Sequence, residues 1–164
     1  MPLSQLQSAT PSELLALYIA VLKELRRRKV VRSTNNPVAD YAEFLVSRAM
    51  ELKLATKSTI GYDATDAMGK RYEIKSRRIT AHNKSRQLSV IRGLDNHHFD
   101  YLAGILFAED FALQRACLVP FEVVKKEADY REHVNGWILH LRESLWELPG
   151  VRDITTSIRA AQSV

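Results

Sequence analysis

The 164-residue chain has one cysteine, Cys117, which excludes an intrachain disulfide and a cysteine-rich zinc cage. That thiol lies in the apolar stretch "RACLV", which reads as a buried, inert position in a reducing compartment. Long apolar runs are missing as well. The longest, Leu14 to Leu22, has nine residues against the ~20 that span a bilayer. Glu13 stands before that run where a secretory leader carries positive charge, so the expectation is a cytoplasmic protein with no membrane partner. With six glycines and five prolines, no linker, repeat or low-complexity tract interrupts the chain. One domain, 1–164, is therefore expected, long enough to bury a core without staples.

Acidic residues are scarce in two windows. Residues 22–32, "LKELRRRKVVR", hold six basic groups against one acid, and residues 70–92 hold eight against Glu73 alone. These windows carry 14 of the 24 Lys and Arg, a local charge of +12, while the other 130 residues carry −7. Positive charge concentrated in this way is the electrostatic footprint of phosphate binding. In the first window, cations complementing a helix C-terminus explain the run equally well.

Thr10 and Glu13 have capping-box spacing with Pro11 between them, and apolar periodicity then predicts a helix to about residue 29. A second helix is predicted from Pro37, capped by Asn36, to about Leu52. Its apolar stripe runs through Val38, Tyr41, Ala42, Leu45, Ala49 and Leu52, which puts Glu43 on a flank outside the core. Two short strands follow at 61–66 and 70–78, then a short helix near 86–93. Next comes a strand pair turning at Glu109-Asp110, a short helix in "PFEVVKKEAD", a strand in "GWILHLRESLWEL" and a terminal helix after "PG". The class is mixed α/β (α+β), a central mixed sheet flanked by helices, with an extra N-terminal helix with a basic end in 1–33 and a C-terminal part, 109–164, completing the domain.

The stretch "GYDATDAMGKRYEIKSRR", residues 61–78, holds the strongest chemical signal. A three-residue loop Ala67-Met68-Gly69, with glycine left-handed, pairs Thr65 with Arg71, Ala64 with Tyr72 and Asp63 with Glu73. Asp63 and Glu73 would then oppose each other on one face, with Lys75 two residues along. Tyr62, Ala64, Tyr72 and Ile74 make the core-facing set. Like charges directly opposite are unfavourable, and a divalent cation is one reason to place them so. The Ile74 carbonyl offers a third oxygen, and Lys75 could hold an attacking water or offset charge on phosphorus. A second Glu-x-Lys, Glu51-Leu52-Lys53, falls at a helix end, where the two side chains diverge. On spacing alone, a solvated hairpin with Lys75 neutralising two acids remains open.

Asp63 followed by Glu73-Ile74-Lys75, behind a helix bearing Glu43, resembles the PD-(D/E)XK nuclease superfamily, the restriction-endonuclease-like fold. The pattern "NNPVADYAEFLVSRA" ahead of "GYDA…YEIK" is also similar to that of small bacterial proteins. The element order over 37–108 matches the superfamily core. The resemblance implies metal binding by Asp63 and Glu73 with help from Glu43, hydrolysis assisted by Lys75, Mg²⁺ or Mn²⁺ as cofactor, and DNA as partner. Arg71, Arg77, Arg78, Lys84, Arg86, Gln87 and Arg92 are the candidate nucleic-acid contacts, and double-strand cutting would fit a homodimer. Tyr62 stands where the family name puts proline. Gln87 begins no Gln-x-x-x-Tyr pattern, because Ile91 fills the last place, so exonuclease behaviour is not implied.

Other groups read as structural. Adjacent His97 and His98 would face opposite ways in a strand, which suits a turn better than ligation. Trp137 and Trp146 read as packing residues, and Ser85 and Ser89 have no positioned His–Asp pair nearby. The competing class is a nucleic-acid-binding module that keeps the fold without turnover.

Overall fold

The computed structural model describes residues 3–163; residues 1, 2 and 164 of the expected domain lie outside the described residues. A short helix that periodicity did not announce, α1 (Leu3–Ser8), precedes α2 (Pro11–Arg27). The capping box that starts α2 is complete: the Glu13 carboxylate accepts from Thr10 N–H at 2.7 Å, and Thr10 Oγ1 accepts from Glu13 N–H at 3.3 Å. Leu22 is the buried residue of α2, while Leu15 is 66% exposed and Tyr18, Ile19 and Val21 about half exposed.

Pro37 already has helical angles, and Asn36 Oδ1 accepts from Val38 N–H at 3.2 Å, so the predicted cap starts α3 (Val38–Ala49). The helix stops three residues earlier than periodicity suggested. Glu51 turns left-handed (φ 54°), which drops Leu52 into the core from outside the helix. The chain then enters β1 (Lys53–Leu54), β2 (Ala64–Thr65) and β3 (Arg71–Arg78). After a long excursion come β4 (Tyr101–Phe107), β5 (Leu113–Pro120) and α4 (Phe121–Glu127). A two-stranded hairpin, β6 (Asp129–Arg131) and β7 (Gly136–Ile138), precedes β8 (Arg152–Asp153) and α5 (Thr155–Gln162).

The sheet is mixed and six-stranded, in the order β1-β2-β3-β4-β5-β8, with β3 and β4 parallel and every other neighbour antiparallel. Strand alternation sorts the core into two layers. Ala64, Tyr72, Ile74, Ile105 and Phe107 meet Leu45 and Val46 of α3 and Ile158 of α5 on one face. Leu102, Leu106, Cys117 and Val119 meet Leu88, Ile91, Leu141 and α4 on the other. Cys117 is fully buried, and burial pushes its thiol up to about 12, as an inert core thiol requires.

Two predicted elements take another form. The segment 86–93 is extended and not helical. Leu88 N–H donates to Leu139 O (3.0 Å), Ile91 N–H to Trp137 O (2.8 Å) and Trp137 N–H to Ile91 O (2.9 Å). Its apolar residues mimic helical spacing, but a partner some fifty residues away supplies the backbone bonds. That partner, 136–148, is a strand for three residues only and then passes into a 3₁₀ turn, Glu143–Glu147.

Candidate active site

The hairpin loop forms as its residues dictate. Gly69 has φ +80°, its N–H donates to Asp66 O (3.1 Å), and Asp66 Oδ1 accepts from the Met68 and Lys70 N–H groups at 2.9 Å each. The register runs as the loop length demands, Thr65 with Arg71 and Ala64 with Tyr72.

It departs at the next residue. Asp63 N–H donates to the carbonyl of Tyr72 (2.8 Å), the residue Ala64 already pairs with. Two residues of one strand thus face one of the other, the arrangement of a β-bulge. Asp63 is therefore not directly opposite Glu73. The bulge also sends Tyr62 to the far face: it packs against the layer that contains Leu102 and Cys117, whereas Ala64, Tyr72 and Ile74 belong to the α3 side.

The bulge brings the Asp63 carboxylate to the edge of β3, where its Oδ2 accepts from Ile74 N–H at 2.7 Å. N–H and C=O of one strand residue point the same way, so the Ile74 carbonyl looks toward this edge too. Glu73 and Lys75 lie two residues apart on one face, side chains 13% and 18% exposed, and join through Lys75 Nζ and Glu73 Oε1 at 2.8 Å. Burial raises the Asp63 carboxyl to about 7, and the charges of Glu73 and Glu43 push it the same way. The Ile74 N–H and Lys75 pull against them.

Glu43, expected on a flank of α3 outside the core, is buried, 8% exposed. The expectation that a flank position stays outside the interior fails because ion pairs fill the space. Arg32 donates to its carboxylate, and Lys57 Nζ stands 3.7 Å away. Asp40, 4% exposed, anchors the same network. Burial would raise its carboxyl, but Lys57, Ser33 and two backbone N–H groups hold it at about 2. Glu43 thus reaches the site through its charge, with Oε2 shared between two cations. Among the described residues, no three His, Cys, Asp or Glu side chains are grouped to hold a metal ion. The Asp63 carboxylate lies at the β3 edge on Ile74 N–H and Glu73 is paired with Lys75; with the Ile74 carbonyl, these are the oxygens that could serve a cation.

Glu73 and Lys75 line a cleft of about 450 Å³ together with Ile60, Gly61, Arg92 and His98. Of the seven proposed nucleic-acid contacts, Arg92 lies in this cleft. Arg71 is committed to Asp100 (3.5 Å) and His97 O (3.0 Å), Arg77 to Ser85 O (3.2 Å) and Arg86 to Glu143. Arg78 covers the Phe111 ring at 4.9 Å, while Lys84 and Gln87 are exposed on the 80–90 segment. Another cavity of about 450 Å³, bounded by Leu25, Val31, Tyr41 and Phe111, is apolar and holds none of these acids.

The sequence reading gives His98 a turn role, whereas the structure also puts it in the cleft. The two histidines do part company: His97 stacks on Phe121 (3.7 Å between centroids) and His98 enters the cleft. The parallel pairing of Tyr72 with Tyr101 carries His98 to the Glu73 side, and no local pattern encodes that. The chain matches no known family model, and no curated protein matches it.

Proposed function

We propose that the protein is a metal-dependent nuclease of PD-(D/E)XK type that hydrolyses phosphodiester bonds, with DNA as substrate and the cytoplasm as its setting. The observation that carries this reading is the Asp63 carboxylate held on Ile74 N–H at 2.7 Å, between Glu73 and Lys75 in the strand, which themselves line an open cleft; burial and the Glu73 charge raise the Asp63 carboxyl to about 7. Such a clustering of burial and like charge destabilises the ionised fold, and perturbed carboxyls of this kind concentrate at functional sites. Strand order supports it in part, because β1-β2-β3 antiparallel followed by β4 parallel to β3, behind α3, supplies the helix and the four strands of the helix–strand–strand–strand–helix–strand order that the resemblance implies. The helix expected near 86–93, between the last two strands, is absent: that segment is extended, and a 3₁₀ turn, Leu94–Asn96, follows it.

In this reading Asp63, Glu73 and the Ile74 carbonyl hold the cation, and Glu43 adds negative potential from behind. Mg²⁺ or Mn²⁺, when bound, supplies an activated water and a Lewis acid for the phosphoryl oxygen. Lys75 leaves Glu73 to orient the nucleophile and to offset charge on phosphorus, and Arg92 holds a neighbouring phosphate. A second reading, a binding module without turnover, is favoured by the Lys75–Glu73 pair, which satisfies the site with no ion at all.

Nicking of supercoiled plasmid in Mg²⁺, Mn²⁺ or EDTA tests the two. The nuclease reading expects metal-dependent nicking, lost in Asp63→Ala and in Lys75→Ala. Nicking that persists in both variants moves the chemistry elsewhere, and salt-sensitive binding with no cleavage selects the binding module.

A further inference from the structure

The cleft of Glu73 and Lys75 shares Arg92, Gly93 and Asn96 with a neighbouring cleft of about 560 Å³, so the two form one groove. The far end is walled by Tyr130, Asn135 and Trp137. Tyr130 and Trp137 are register partners across the β6–β7 hairpin, with ring centroids 4.9 Å apart and planes inclined at 64°. Asn135, at φ 47°, accepts the Tyr130 hydroxyl hydrogen bond at 3.1 Å.

A cross-strand aromatic pair stabilises a hairpin that would otherwise be marginal, and this accounts for the ring contact. It does not account for a tyrosine left 51% exposed at the end of a groove, oriented by its own hydroxyl. Two inclined rings make a corner in which a flat heterocycle stacks on one face and meets the other ring's edge. Along the groove the order is Lys75 and Glu73, then Arg92, then the aromatic corner. Arg92 is steadied by one bond to Val134 O (3.1 Å), which leaves further guanidinium donors for a phosphate.

We propose that the Tyr130–Trp137 corner is a nucleobase subsite, and that the substrate presents an unpaired base there: single-stranded nucleic acid or a frayed single-stranded end. The inference takes the nucleic-acid class from the proposed function and adds the strand state. A paired base is stacked inside its duplex and cannot reach the corner, whereas every unpaired base offers a face to it.

The test is equilibrium binding in EDTA, so that no cleavage intervenes. The probes are a short fluorescein-labelled single-stranded oligonucleotide, the same oligonucleotide made abasic, and its duplex. Quenching of Trp137 is read in a Trp146→Phe background. The expected result is single strand over duplex, quenching by the base-containing strand alone, and about 5- to 100-fold weaker binding of that strand by Tyr130→Ala. Tyr130→Phe, which keeps the ring and loses only its orienting hydroxyl, should bind more tightly than Tyr130→Ala, and abasic binding should be unchanged in both variants, which separates stacking from a disturbed hairpin. Equal affinity for base-containing and abasic strands in the wild type overturns the subsite, as does duplex binding as tight as single strand. Base-dependent quenching in a protein that cuts nothing leaves the subsite standing and removes the nuclease. Asp63-dependent nicking without quenching does the reverse.

Discussion

Replacing Asp63 by asparagine removes a charge without removing the acceptor that Ile74 N–H needs. In the wild type this carboxyl rises from 3.8 to about 7 on folding, because it is buried and feels the charges of Glu73 and Glu43. The folded chain therefore holds the proton more tightly than the unfolded one, and the stability this confers is present below about pH 4 and lost as pH rises through 7. At ~1.4 kcal/mol per pH unit, the loss approaches about 4 kcal/mol as an upper bound. For a domain of this size that is roughly 8–16 °C in Tm. Asp63→Asn should lack the decline, so the gap between variant and wild type opens between pH 4 and 7 and stays constant above. Urea unfolding across that range measures it. Added Mg²⁺ should restore wild-type stability above pH 7 and leave the variant unmoved. A gap that does not change with pH would refute the electrostatic account of the site.

Three further outcomes follow from the same geometry. Gly61 and Gly69 both have positive φ, but a Cβ on Gly61 would fall 2.3 Å from His98 Cβ while nothing lies within 4 Å of one on Gly69. Gly69→Ala should therefore cost about 1 kcal/mol and Gly61→Ala roughly 3 kcal/mol or more in urea unfolding, with comparable losses sinking the packing argument. Arg32→Met strips Glu43 of its main partner and leaves the Ala55 carbonyl without the Arg32 hydrogen bond, which should destabilise the fold by roughly 1–3 kcal/mol in urea unfolding at pH 7. Arg92→Ala should weaken oligonucleotide binding and lower its salt dependence by about one ion, whereas Arg86→Ala, whose charge is already met by Glu143, should leave both nearly unchanged.

Short-range chemistry was legible residue by residue. Thr10, Glu13 and Pro11 announced the start of α2, Asn36 and Pro37 that of α3, and "DAMGK" the loop and the register of Ala64 with Tyr72, because each depends on groups within about four positions of one another. The Glu73–Lys75 pairing was equally readable, since a strand places alternate residues on one face. Beyond that range the sequence was silent. Nothing near Asp63 signals the bulge that turns it to the edge of β3 and sends Tyr62 to the other layer. The spacing of Leu88 and Ile91 suited a helix until residues 137–139 took their backbone N–H groups. Glu43 was read as a flank residue because its partners, Arg32 and Lys57, come from segments that only folding brings to α3. His98 reached the cleft by the parallel alignment of β4 with β3, and Tyr130 and Trp137 reached the groove by the docking of a hairpin. Caps, loops and facing are set by neighbours in the chain, whereas burial of charge and the walls of a cleft are set by elements that loop closure brings together, and that is why the tertiary structure alone decided the form of the site.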